Sequence, residues 1–252
     1  MKPLALLSYA VYGLYAWLVA SVLLTSGWIL SITLPTLYLR RRTASLAIRS
    51  IAWLIGLPIR LQGQEHLPEG ASIVVANHIS YMDGPMMLTV LPPRYSFVVK
   101  AGAEHAPVVG TLLRRMGCTF VSRDNALQGS ADTRRLMRAL RSGQALGLFP
   151  EGYIQRKPGL QPFRLGAFLM AARCGVPIVP AAIRGTREFL PRNSWWPGRS
   201  SITIQLLPAI TPDGTDRNAA IRLRDKAYAA VLAHCEEPAA AVSDEQTAIT
   251  AT

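Results

Sequence analysis

Ser72-Ile73-Val74-Val75-Ala76-Asn77-His78-Ile79-Ser80-Tyr81-Met82-Asp83 is the stretch from which the rest of the chain can be read. Its first half is a short, β-branched apolar run after a Pro/Gly turn, the pattern of a buried strand. Its second half is polar and carries a histidine and an aspartate five positions apart. In open α/β sheets, active sites gather beyond the carboxyl ends of strands. An imidazole placed there can act as a general base near neutral pH, and a carboxylate on its other nitrogen fixes one tautomer and stabilises the imidazolium. On a continuous helix a separation of five puts two side chains on different faces. His78 and Asp83 therefore meet only if His78 lies in a turn between strand and helix. Two plainer readings compete: Ser80 followed by Asp83 resembles a capping box, and His78 alone is an ordinary turn histidine.

Outward from this stretch the pattern repeats. Residues 59–62, 95–100, 119–122, 145–149 and 178–183 read as short strands. Residues 44–57, 83–91, 107–117, 131–142, 163–174 and 217–235 read as helices. The fourth of these places Arg134, Arg135, Arg138 and Arg141 on its polar side, and Asp216 caps the last. Residues 201–207 alternate and are expected at a sheet edge. Strands alternating with helices predict an α/β fold, with a largely parallel central sheet flanked by helices. The Ala-, Ser- and Thr-rich stretch 236–252 is expected to be a disordered tail.

The N-terminal region is different. Residues 3–39 form a run of 37 positions without a charge, against about 20 apolar residues for one bilayer span and only ~7–15 for the core of a signal peptide. Ser26, Gly27 and then Pro35 interrupt it, so one helix followed by a shorter one is expected, as a hairpin in one leaflet or across both. Tyr9, Tyr12, Tyr15, Trp17 and Trp28 suit the membrane interface. Arg40, Arg41 and Arg42 follow at once, with Arg49 close by. The positive-inside rule makes that end cytoplasmic. The expected organisation is a membrane-associated helical segment over 1–45 and one domain over 46–235, on the cytoplasmic face of the inner membrane.

Lys and Arg outnumber Asp and Glu by 27 to 15, a net charge of +12, which attracts an anionic leaflet or nucleic acid. A mean hydropathy of +0.22, the uncharged N-terminal run and the lack of aromatic–basic interleaving favour lipid and no nucleic acid. The three cysteines, Cys118, Cys174 and Cys235, are odd in number and none stand at C-x-x-C spacing. That argues against a disulfide framework and a cysteine-based metal site; no metal and no cofactor are expected. The chain contains no G-x-S-x-G, H-E-x-x-H, Walker or G-x-G-x-x-G motif, against serine hydrolase, zinc hydrolase, NTPase and dinucleotide chemistry.

Three further blocks stand at strand ends. Phe149-Pro150-Glu151-Gly152-Tyr153 puts a carboxylate and a glycine where they could line the same cleft, or forms an ordinary turn. Phe120-Val121-Ser122-Arg123 ends on an arginine, whose fork suits a phosphate. Val176-Pro177-Ile178-Val179-Pro180 alone says buried strand. Together and in order, these blocks and Asn77–Asp83 resemble the lysophospholipid acyltransferase family, typified by bacterial 1-acylglycerol-3-phosphate acyltransferases. The resemblance covers roughly residues 50 to 210. It runs through the N-H-x-x-x-x-D box at Asn77 to Asp83, then Lys100, Pro107, Gly110, Gly117 and Phe120 to Arg123. The F-P-E-G block follows at Phe149 to Gly152, with Pro162, Phe163, Gly166 and Ala167, and Val176 to Pro180 closes the series.

The resemblance implies that His78 takes the proton of an acceptor hydroxyl while Asp83 orients it. The hydroxyl then attacks the thioester of acyl-CoA or acyl carrier protein, which are substrates and not cofactors. It implies that Asn77, Lys100, Arg123, Glu151 and Gly152 help bind the acceptor, a lysophospholipid, with Tyr153 as a further contact beside them. The family usually has Thr and Arg after F-P-E-G, and here Tyr153 and Ile154 stand there. Arg156, Lys157 or Arg164 are the candidates to replace that phosphate contact. The second block also has Gly102 and Ala103 in place of the usual Glu-Leu pair. These departures leave open another acceptor, such as a lyso-aminolipid. The rivals are a membrane thioesterase and a basic module that binds the membrane surface without catalysis.

Overall fold

The computed structural model describes residues 3–122, 126–154, 159–191 and 194–240. Among them, seven strands form one sheet in the order β1 (Ile59–Gln62), β7 (Ile202–Leu206), β6 (Ile178–Arg184), β2 (Ile73–Ala76), β5 (Ala145–Leu148), β3 (Tyr95–Lys100) and β4 (Thr119–Val121). β7 runs antiparallel to β6, and every other pairing is parallel. β2 is the central strand and is buried throughout, which is why it is a continuous apolar run.

The side chains of β2 alternate between two helical layers. Val74 and Ala76 pack with residues of α1 (Pro3–Thr33), α2 (Leu37–Leu54) and α3 (Asp83–Val90). Ile73 and Val75 pack with α5 (Ala126–Arg141), α6 (Gly166–Cys174) and α8 (Arg217–Leu232). The short helices α4 (Val109–Arg115) and α7 (Thr186–Phe189) complete the α-helices among the described residues. The fold is therefore the expected helix-flanked, mostly parallel α/β sheet.

The expectation that residues 201–207 form an edge is corrected: β7 lies second from the edge, covered by β1, with Ile202 opposite Ile59. Its alternation has another cause. Ile202, Ile204 and Leu206 are fully buried in the layer of α1 to α3, while Thr203 and Gln205 on the other face are half-buried.

The apolar N-terminal run does make two helices, but Ser26-Gly27 does not interrupt the first. α1 is continuous over 31 residues, and a Cβ on Gly27 would sit 3.6 Å from Ala47 Cβ of the antiparallel neighbour α2. The break falls at Pro35, whose ring cannot continue a helix. Thr36 then starts α2, its hydroxyl accepting from Leu39 N at 3.3 Å.

This hairpin is bolted to the sheet. Arg41 is 5% exposed and donates to the carbonyls of Met116 (2.8 Å), Pro93 (2.8 Å) and Gly117 (3.3 Å). Arg40 donates to Leu34, Pro35 and Arg115 carbonyls, and Arg115 to Ser31 and Ile32. Helix carboxyl ends leave carbonyls without intrahelical partners and carry partial negative charge. Two of the three consecutive arginines read as a topology signal thus serve as clamps on the ends of α1 and α4. The aromatic residues of α1 also bind protein. Trp17 donates to Trp195 O at 2.8 Å, Trp196 to Tyr9 O at 3.1 Å, and Tyr15 to Leu54 O at 3.0 Å. Gly13 makes room for Trp196, whose indole lies 2.1 Å from where a Cβ would stand.

At the other end of the chain, Leu160 and Ala240 bond through their main chains and Leu160 donates to Pro238 O. Glu237 accepts from Gly159 N at 2.6 Å and from Arg187 at 3.1 Å. These residues belong to the stretch read as a disordered tail; 241–252 lie outside the described residues.

Candidate active site

β2 delivers Asn77 and His78 to the carboxyl edge of the sheet, and residues 77–80 form the turn before α3. Asn77 is fully buried. Its amide donates to Ile183 O (2.9 Å) and accepts from Ile183 N (2.7 Å), so it sews the end of β2 to β6. Read in the sequence as an acceptor contact, in the structure it braces the strand from which His78 leaves.

The turn closes on one carboxylate. Asp83 Oδ2 accepts from His78 Nδ1 (2.9 Å), Ile79 N (2.7 Å) and Ser80 N (2.8 Å). Its Oδ1 accepts from the Thr186 hydroxyl at 2.6 Å. Asp83 and Thr186 are fully buried. The bond back to Ser80 N is half of the capping box read in the sequence, so the plain reading and the catalytic one share the same side chain. With Nδ1 engaged, the tautomer that donates to Asp83 leaves Nε2 able to accept a proton. The Phe149 ring stacks on the imidazole, with centroids 4.1 Å apart and planes 13° from parallel. His78 keeps a side-chain exposure of 20%.

The block at the end of β5 supports this turn from the other side. Glu151 Oε1 accepts from His78 N at 2.5 Å and Oε2 from Gln161 N at 3.0 Å. Glu151 is 2% exposed, and burial pushes its carboxyl up to about 8, against the pull of these main-chain donors. Like Asn77, Glu151 is read in the sequence as an acceptor contact; in the structure its two oxygens bond to the main chain of His78 and of the loop at 161. Gly152 takes φ 89°, open to glycine at little cost, and its N–H returns to Phe149 O.

Tyr153 is 40% exposed, and the Arg164 guanidinium lies 6.0 Å from its ring centroid. Arg164 N donates to Pro150 O, which holds this exposed cation beside the turn. Ile154, at the family's arginine position, is buried. Lys100 ends β3, exposed, and that strand runs parallel to β5 and so finishes at the same edge. Arg123 and Arg156 lie outside the described residues.

Phe149 and Thr186 are parts of the site that the sequence reading did not assign. Phe149 was visible as the first residue of its block. Thr186 stands 103 positions from Asp83 and has no local signal; only the pairing of β2 with β6 brings it near.

A buried carboxylate bonded to a part-exposed imidazole, on a braced turn at the carboxyl edge of a mostly parallel sheet, is the arrangement a general base needs. The acyltransferase family model matches residues 58–184, half of the chain and all of the site residues described above except Thr186, and the chain belongs to that family. It is 27% identical over 164 residues to the 1-acyl-sn-glycerol-3-phosphate acyltransferase of Borreliella burgdorferi, covering 65% of this chain and 66% of that protein. It is 34% identical over 136 residues to a chloroplastic protein of that name from Brassica napus, covering 53% of this chain and 39% of the relative. The crystal structure of the 1-acyl-sn-glycerophosphate acyltransferase PlsC from Thermotoga maritima matches with a TM-score of 0.73 over 91% of this chain and 95% of that one. At 22% identity that is a likeness of fold.

Proposed function

We propose that this chain is a membrane-associated O-acyltransferase that moves a fatty acyl group from an acyl thioester to the free hydroxyl of a lysophospholipid. The preferred acceptor is 1-acyl-sn-glycerol 3-phosphate and the product phosphatidic acid. The observation that carries the reading is the His78 Nδ1–Asp83 Oδ2 bond of 2.9 Å within a carboxylate that three other groups also bind. The relatives named above carry the acceptor in their names.

His78 Nε2 takes the hydroxyl proton as the acceptor oxygen attacks the thioester carbonyl. Asp83 stabilises the imidazolium, which then protonates the departing thiolate. The acyl group goes directly to the acceptor, without an acyl-enzyme. Phosphate recognition falls to Arg164 and Lys100, with Arg123 and Arg156 as further candidates. The exposed stripe Leu7, Val11, Leu14, Leu18 and Val22 on α1 suits lipid. α1 is about 46 Å long at 1.5 Å per residue, and the segment Leu6–Thr33 is apolar enough to cross a bilayer. Yet both of its ends are bonded to the domain, which favours a helix lying along one leaflet.

One observation favours a second reading. Ile154 is buried where the family resemblance has an arginine, which suits an acceptor with another headgroup. Purified wild-type chain should therefore be given labelled acyl donor with lysophosphatidic acid, other lysophospholipids and a lyso-aminolipid in parallel. Preference for lysophosphatidic acid, lost in Arg164→Ala through a raised KM, supports the first reading. Preference for another acceptor replaces it, and fatty acid release without acceptor would mean a thioesterase.

A further inference from the structure

β2 delivers the catalytic turn from between two parallel neighbours, β5 on one side and β6 on the other. The chain leaving each neighbour holds one half of the pair. After β5, Glu151 accepts from His78 N at 2.5 Å, and Gln161 N holds its other oxygen at 3.0 Å. After β6, the Thr186 hydroxyl donates to Asp83 at 2.6 Å. Residues 236–240, returning from α8, reach both supports. Leu160, next to Gln161, donates to Pro238 O at 2.8 Å and accepts from Ala240 N at 3.1 Å. Glu237 Oε2 accepts from Gly159 N at 2.6 Å. Glu237 Oε1 accepts from Arg187 Nε at 3.1 Å, with Nη2 of the same guanidinium also at 3.1 Å. Arg187 follows Thr186 on α7. One carboxylate, on a side chain only 11% exposed, thus ties segment 159–161 to α7. The neighbouring pair Arg184–Glu236 is different: its carboxylate is 75% exposed, and exposed pairs hold little.

We propose that Glu237 is a positioning residue for acyl transfer, setting through Arg187 and Gly159 where Asp83 and the His78 main chain stand. The inference rests on the acyl-transfer reading. Glu237 touches no reacting atom. It acts by locking together two supports that arrive from opposite sides of β2. A general base tolerates little error in placement, and a shift of about 1 Å from a distant change can cost on the order of 10²-fold in rate. A strap that only stabilised the fold would leave kcat of the folded enzyme unchanged.

The test uses the full chain as wild type, Glu237→Gln, Glu236→Gln, Thr186→Val and Thr186→Val/Glu237→Gln. The Gln amide can still accept from Gly159 N, but it then turns a donor toward Arg187, so that tie is cut with little change of shape. Rates are measured with the donor and acceptor that wild type uses best and are normalised to the folded fraction from a thermal melt. Glu237→Gln should lower kcat by roughly 10- to 100-fold, with both KM values within about threefold of wild type. Glu236→Gln should stay near wild type. On the Thr186→Val background, Glu237→Gln should cost less than about threefold, because its route to Asp83 is already cut. A wild-type kcat in Glu237→Gln overturns the proposal. So does a loss carried by KM alone, an equal loss on both backgrounds, or an equal loss in Glu236→Gln. Should Glu237→Gln fail to fold, Arg187→Met cuts the same tie from the other side and is judged by the same outcomes. Wild type that acylates no lyso-lipid contradicts the acyl-transfer reading itself, and the positioning role with it.

Discussion

Asp83 collects four hydrogen bonds on two oxygens, and only one of them reaches His78. The other three fix the carboxylate before any substrate arrives, so the imidazole meets a preorganised partner. Asp83→Asn can keep the acceptor oxygen toward the turn and turn its amide toward Thr186. The fold should survive, while kcat falls by roughly 10²- to 10⁴-fold through loss of the charge that supports the imidazolium. Steady-state kinetics beside a thermal melt separates the two effects. Glu151 makes a pH prediction. Its carboxyl stands at about 8 in the folded chain against an ordinary 4.5, so the folded state holds a proton that the unfolded state has released between those values. Stability therefore falls as pH rises from about 4.5 to about 8. Glu151→Gln should flatten that fall, read as thermal midpoint against pH; an unchanged slope would assign it to other groups. At this scale the sequence was legible for His78 and Asp83, because the turn and the pair are local. It did not foresee that Asn77 and Glu151 bond to the main chain, since motif membership does not say what a polar group pairs with inside the fold.

α1 and α2 are joined to the domain by side chains that composition alone assigns to lipid. Arg41→Ala would leave the carbonyls of Met116, Pro93 and Gly117 without their donor in a buried place. A cost of about 2–4 kcal/mol is expected, and Arg41→Lys should not recover it, because an ammonium cannot copy the guanidinium fork. Denaturant midpoints of the three proteins decide this. α1 also reaches the catalytic turn at second hand. It binds the segment carrying Trp195 and Trp196, and Trp195 stacks on Tyr81 with centroids 6.0 Å apart. Gly13→Val would drive a side chain into Trp196, costing about 1–3 kcal/mol and lowering activity more than a remote surface change would. Helices and strands were legible from period and punctuation. The continuity of α1 through Gly27 and the interior place of β7 were not, because both depend on what packs against them.

The whole molecule divides by layer. One layer shows an apolar stripe and the other a basic groove lined by Arg134, Arg138 and Arg141 of α5, with the chemistry at the sheet edge they share. Leu14 and Leu18 are 63% and 65% exposed, so Leu14→Glu/Leu18→Glu should leave the thermal midpoint near wild type. Binding to lipid vesicles should weaken by roughly tenfold or more; unchanged flotation with vesicles would remove the stripe from the membrane account. The charge of +12 announced an anionic partner without saying where. Only the structure separates the arginines spent on helix ends from those left along α5. The most direct test of the central claim is transfer of a labelled acyl group to lysophosphatidic acid by wild type and by His78→Ala, each shown to be folded. Wild type should make phosphatidic acid and the variant should lose at least roughly 10³-fold in kcat. A variant that acylates as fast as wild type would contradict the assignment of His78 as the base.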